Sequence, residues 1–218
     1  GMVYRPTEAT SIGFTYVSPQ KVTHGEVINM GAGFQDLALE APQQIGLGVA
    51  YEMNEGRLMV GADLKWINWA QAIGYKDFGW ENQTVLVLGA QYEAIEDKLV
   101  LRVGLNYGNN PVQASNGWDG SFDFNTGYPN DMKTVQGIVM PRYYYETFRI
   151  IGFPAIVRTH LTMGMTYHMS DKLALSLAFM KALEEELVET GIGPTGAPTT
   201  LKSTLSEMSF ELGLSWKY

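Results

Sequence analysis

Cysteine is absent from the 218 residues, which excludes disulfides, thiolate metal ligands and cysteine nucleophiles. The absence also suits a protein that crosses an oxidising periplasm unfolded. Basic residues are in deficit, with 15 Lys plus Arg against 23 Asp plus Glu and a net charge of −8. A nucleic-acid binder needs a basic stripe over the phosphates, so that class is set aside. Histidine occurs only as His24, His160 and His168. His160 and His168 would share a strand face but lie about 26 Å apart at ~3.3 Å per residue, too far to hold one metal. No HExxH or Gly-x-Ser-x-Gly pattern is present, and Gly46-x-Gly48 and Gly104-x-x-x-Gly108 lack the strand-to-helix setting of a phosphate loop. The expectation is a non-enzyme with no cofactor and no metal. Apolar runs of the ~18–20 residues that a membrane-crossing helix needs are missing too, which leaves membrane β-barrels open. Helix signals are scarce, the longest being the Glu-rich run Leu183 to Val188.

What the sequence does have is glycine (24 residues), aromatics and alternation. From 98 to 109, Leu99, Leu101, Val103, Leu105 and Tyr107 point one way, and Arg102, Gly104, Asn106 and Gly108 the other. The same division separates Leu161, Met163, Met165, Tyr167 and Met169 from Thr162, Gly164, Thr166 and His168. In the last strand it separates Met208, Phe210, Leu212, Leu214, Trp216 and Tyr218 from Ser209, Glu211, Gly213, Ser215 and Lys217. The pattern predicts nine strands: 9–17, 24–34, 43–53, 57–70, 82–94, 98–109, 155–169, 171–183 and 204–218. Residues 1–8 read as a lead-in, Gly1 ahead of Met2 looking like a cloning remnant, with no signal peptide after it. Short links (18–21, 54–55, 95–97 and near 170) alternate with long ones (35–42, 71–81, 110–154 and 184–203). That rhythm, with tight turns at one end and long loops at the other, predicts one all-β domain over 1–218, an antiparallel up-and-down β-barrel of about 9–10 strands. Aromatics favour strand ends (Tyr16, Tyr51, Trp66, Trp69, Tyr92, Tyr107, Tyr167, Phe179, Trp216, Tyr218), as interfacial girdles do. Periodicity alone leaves two orientations open: the oily face toward lipid, or toward the cavity of a soluble barrel.

Several blocks, in order, point to a family: Gly46-Leu47-Gly48-Val49-Ala50-Tyr51 after Pro42, Asp63-Leu64-Lys65-Trp66 followed by Trp80-Glu81-Asn82, and Gly89-Ala90-Gln91-Tyr92. Then come Leu101-Arg102-Val103-Gly104-Leu105-Asn106-Tyr107, Pro111-Val112, Phe153-Pro154-Ala155-Ile156 and His160 to Tyr167, with Tyr218 as a terminal aromatic. Over nearly its whole length the chain resembles the C-terminal part of the outer-membrane long-chain fatty acid and hydrocarbon transporters, the FadL/TodX group. The resemblance implies a 14-stranded barrel plugged by an N-terminal hatch, in the outer membrane of a Gram-negative bacterium, passing hydrophobic molecules. Nine strands against fourteen imply N-terminal truncation, with about five strands and the hatch missing.

Charges on the small-residue face are the candidate contacts. Lys65, Arg102 and Arg158 are cations suited to a fatty acid carboxylate, with His160 beside them; an ion-pair ladder with Asp63 and Glu211 is the plainer alternative. Tyr143, Tyr144 and Tyr145, in the aromatic segment 139–148, read as a loop lining a hydrophobic entrance, or as rings packed on the barrel rim. The functional expectation is passive transport of long-chain fatty acids or other hydrophobic small molecules. The partners are the cargo and outer-membrane lipid. The alternatives are a soluble β-barrel lipid-binding protein, or a structural fragment with no activity of its own.

Overall fold

The computed structural model describes every residue except Met30, Ala32 and Tyr218, and Ile28 by its backbone only. The terminal aromatic Tyr218 therefore lies outside the described residues. In chain order the elements are β1 (Met2–Thr7), β2 (Thr10–Val17), β3 (Gln20–Asn29), β4 (Phe34–Ala41), β5 (Gln44–Met53), β6 (Leu58–Ile67), β7 (Gln83–Ile95) and β8 (Leu99–Gly108). Short strands β9 (Trp118–Asp119), β10 (Phe122–Asp123), β11 (Tyr128–Pro129), β12 (Met132–Val135) and β13 (Ile138–Pro141) lead to the helix α1 (Arg142–Gly152). The chain closes with β14 (Thr159–Ser170), β15 (Leu173–Ile192) and β16 (Pro198–Trp216).

One antiparallel wall runs β1-β2-β5-β6-β7-β8-β14-β15-β16, each strand bonded to its neighbour in chain order apart from the inserted loops. β1 and β16 stand at opposite edges of that order, so the wall is an open sheet. The tight links at residues 8–9, 54–57, 96–98 and 171–172 lie at one end, and the insertions 18–43, 68–82 and 109–158, with the short link 193–197, at the other. At the tight end the turns use left-handed residues, Asn54, Glu55 and Asp97.

The registers join the alternating residues of neighbouring strands into two continuous faces. Phe14, Leu47, Leu64, Leu86 and Tyr107 form one row of the oily face, and Val103, Met163, Phe179 and Phe210 part of another. Among the described residues nothing covers this face: Val103 is 61% exposed and Leu212 75%. The opposite face carries rows such as Ala50-Gly61-Gly89-Gly104-Thr162 and Arg102-Gly164-Ala178-Glu211. Among the described residues, aromatics of the oily face mark both rims. Tyr16, Trp66 and Tyr107 lie at the loop end, and Tyr51, Tyr92, Tyr167 and Trp216 at the turn end. Phe179 is not a rim residue, since it sits mid-strand against Phe210 with ring centroids 4.9 Å apart.

The buried core lies at the loop end. Phe78, Trp80, Val112, Val135, Ile138, Met140, Tyr145, Ile150 and Ile156 pack together and onto Leu187 of β15, with Leu201 and Leu205 of β16 beside them. Leu187 pairs with Ser203, and Leu205 lies two residues from Glu207, itself paired with Ala182. These positions belong to the small-residue face, so the loop domain folds over that face and leaves the oily one bare.

Four expectations are corrected. The strand expected at 24–34 straddles the β3-β4 hairpin, which forms its own two-stranded sheet. Gly31 and Gly33 have φ of 93° and 96°, which an extended strand cannot hold. The ninth wall strand is instead β1, within the expected lead-in. The long loop expected at 184–203 is mostly strand, because β15 and β16 pair from Leu173↔Trp216 up to Ile192↔Pro198. A register shift between Ala182 and Glu185 adds one residue on β15 and flips its alternation there, which hides the strand from a periodicity reading. The helix-like run Leu183 to Val188 is part of this strand. Lastly, 139–148 is no loop: it is the end of β13 and most of α1.

Candidate functional site

Where the loop domain meets the small-residue face, a cleft of about 490 Å³ opens. The segment 68–82 supplies Trp69, Tyr75 and Trp80, whose ring centroids lie 4.6–4.9 Å apart in tilted and edge-on contacts. Such a trio is a packed aromatic surface rather than a cage with room inside. Phe153, just after α1, meets Tyr75 edge-on at 5.8 Å and stacks on Phe78 at 5.1 Å. Pro111, Pro154, Ala155, Val157 and Leu205 complete the apolar lining, with Gln83, His160 and Glu207 as its polar groups. His160, Ala182 and Glu207 occupy one row across β14, β15 and β16. Ala182, between the two polar side chains in that row, is fully buried. Among the described residues no Lys or Arg lines the cleft.

The sequence-derived site residues are dispersed by the fold. Only His160 reaches the cleft, where its Nδ1 is buried with no hydrogen-bond partner among the described residues. Arg158 donates from Nε and Nη2 to the two Glu185 oxygens at 2.8 and 3.1 Å, and this carboxylate holds the guanidinium above its ordinary pKa. It therefore follows the ion-pair alternative. Arg102 sits about 13 Å down the strand from the His160 row at ~3.3 Å per residue. There it donates to Gln91 Oε1 and Thr166 Oγ1, both at 2.8 Å. Lys65 borders a separate groove beside β1, with Asp63, Gly46 and Gly48.

The three tyrosines part company on α1. Tyr145 is core: its hydroxyl donates to the Asp77 carbonyl at 2.8 Å, and burial pushes the phenol above its ordinary pKa of 10.0. Tyr143 packs against Trp118, and half-exposed Tyr144 stacks on Phe148 with nearly parallel rings. None of the three lines the cleft. Apart from His160, the residues that line it were missed by reading strands alone. Trp69, Tyr75 and Trp80 in one polar loop, with Phe153-Pro154 far along the chain, were the available signal.

Beside the cleft lies a charged cluster. Glu146 and Glu189 are fully buried and Arg149 nearly so. Arg149 joins Glu146 of its own helix at 3.1 Å and Glu189 of β15, and its Nη1 donates to the Gln113 carbonyl at 2.8 Å. Arg142 also holds Glu146, at 2.7 Å. The Ser115 backbone N–H donates to Glu189 at 3.0 Å.

No family model matches the sequence. Among curated proteins none matches either. Solved structures do. The chain is similar to one described as "TodX monoaromatic hydrocarbon channel deltaS2 mutant", at 17% identity and a TM-score of 0.50, over 99% of this chain and 48% of that one. Another, "TodX deltaS2S3 mutant monoaromatic hydrocarbon channel", aligns at 18% identity and a TM-score of 0.49 over the same shares. The chain thus spans about half the length of the structures it matches. At these identities the likeness concerns fold: a large antiparallel sheet of the kind that builds such a barrel.

Proposed function

We propose that this chain is part of the wall, and the outer loop domain, of an outer-membrane channel for hydrophobic molecules, which enter by the aromatic cleft. One observation carries the reading. The chain covers its small-residue face with its own loop domain and leaves the large apolar face bare, the arrangement of a sheet whose oily side meets lipid. A soluble carrier would turn that oily side into its cavity. The likeness in fold to a hydrocarbon channel, rather than to an enzyme, agrees with transport.

The cleft favours uncharged cargo. A carboxylate entering it would meet Glu207 and no Lys or Arg among the described residues, and would exchange its water for at most the neutral donors Gln83 and His160. Long-chain fatty acids remain a second reading through Arg102, which carries no ion pair among the described residues and lies further along the same face. The test uses the chain in lipid nanodiscs with anthracene and anthracene carboxylate, read by energy transfer from the cleft tryptophans. Anthracene should bind at least tenfold more tightly, and Trp80→Ala should weaken it several-fold. Equal binding of the two, or no effect of Trp80→Ala, would remove the cleft from the path.

A further inference from the structure

The two lips of the cleft belong to different elements. One lip is Phe153 to Val157, the segment that α1 delivers at its end. The other is Leu205 and Glu207 of β16, held by β15 through Glu185↔Leu205 and Ala182↔Glu207. Arg149, one turn before Phe153, is bonded to Glu189, one residue past Val188 on β15. We infer that the buried Arg149–Glu189 pair, seated on Glu146, is a strut that sets the width of the cleft and so acts as a positioning group for size selection. This rests on the cleft being the binding site.

The physical reason is the nature of the cargo. Apolar packing between α1 and the wall would yield to a hydrocarbon, which replaces one apolar contact with another at little cost. A guanidinium–carboxylate contact cannot be replaced that way, because a hydrocarbon offers neither charge nor hydrogen bond to a buried ion. The strut therefore stays closed however much cargo is present. Its surroundings brace it from the loop side through the Ser115 N–H and the Gln113 carbonyl, and Glu146 keeps Arg142 if Arg149 is removed, while Glu189 Oε2 has no hydrogen-bond partner among the described residues. Buried pairs of this kind add little net stability yet specify one geometry, which is the property a gauge of width requires.

The test replaces both partners at once, Arg149→Met with Glu189→Met, so that no charge is left alone. Anthracene and the broader pyrene are titrated against wild type and variant in nanodiscs by tryptophan energy transfer, with melting followed in parallel. The wild type should prefer anthracene. The double variant, melting within a few degrees of wild type, should lose about fivefold of that preference. An unchanged ratio in a folded double variant overturns the strut while leaving the channel reading intact. If the double variant does not fold, Glu189→Gln keeps the shape and removes the charge; a preference reduced about twofold supports the strut, and an unchanged one overturns it. If wild type binds neither hydrocarbon, the channel reading falls, and the strut with it.

Discussion

Tyr145 shows how a side chain marked out by composition finds another use. Three consecutive tyrosines suggested an entrance, but a helix turns consecutive residues about 100° apart, so they part to different surroundings. Tyr145 enters the core and spends its hydroxyl on the Asp77 carbonyl, tying α1 to the aromatic segment of the cleft. Its raised pKa fixes the sign of a pH effect. The neutral phenol is favoured when folded, so its contribution is complete below about pH 10 and lost as pH rises through the higher folded value. The melting temperature should therefore fall as pH rises above 10. Tyr145→Phe should abolish that dependence while costing about 1 kcal/mol for the lost hydrogen bond. An alkaline response that persists in Tyr145→Phe would assign it to another group. Arg158 teaches the same lesson from the charged side. Its position on the small-residue face was legible, but Glu185 comes from a strand stretch hidden by the bulge, so its partner was not.

At the scale of elements, β16 gives the most direct measure of where lipid would lie. Its outward positions are apolar from Trp216 up to Met208, then turn polar through Ser206, Thr204 and Lys202. Eight steps at ~3.4 Å, tilted about 40°, make a band roughly 20 Å tall, close to the ~25 Å expected of a barrel. Above it β15 and β16 continue as a two-stranded extension, crossed by the Lys202–Glu186 ion pair and carrying Leu187 and Glu189 inward to the loop domain. Placing arginine at Leu212 should cost about 2–4 kcal/mol in refolding into lipid vesicles, and at Thr204 about 0–1 kcal/mol. Equal costs at the two sites would mean that the band does not face lipid. The alternation of these strands was readable wherever the pairing is regular. It failed at 183–184, where one extra residue changes which side chains face inward, and at 24–34, where glycines turn the chain back on itself.

For the molecule as a whole, the bare apolar face is too large to meet water, since exposed patches beyond a few hundred Å² lead soluble proteins to associate. The purified chain should stay monodisperse only with detergent or lipid. A monodisperse species in plain buffer, by size exclusion with light scattering, would turn the oily face inward and revive the soluble carrier. By itself the sequence determined the all-β class, the two-faced strands, the alternation of turns and long insertions over most of the chain, and the absence of thiol chemistry. These follow from local geometry, because successive side chains of a strand must face opposite ways and a tight turn needs its own residues. The tertiary structure alone decided which face the loop domain covers, that Trp69, Trp80, Phe153, His160 and Glu207 meet around one cleft, and that Arg149 finds Glu189. Those contacts join residues far apart in the chain, and strand register and long-range packing, which no local period records, bring them together.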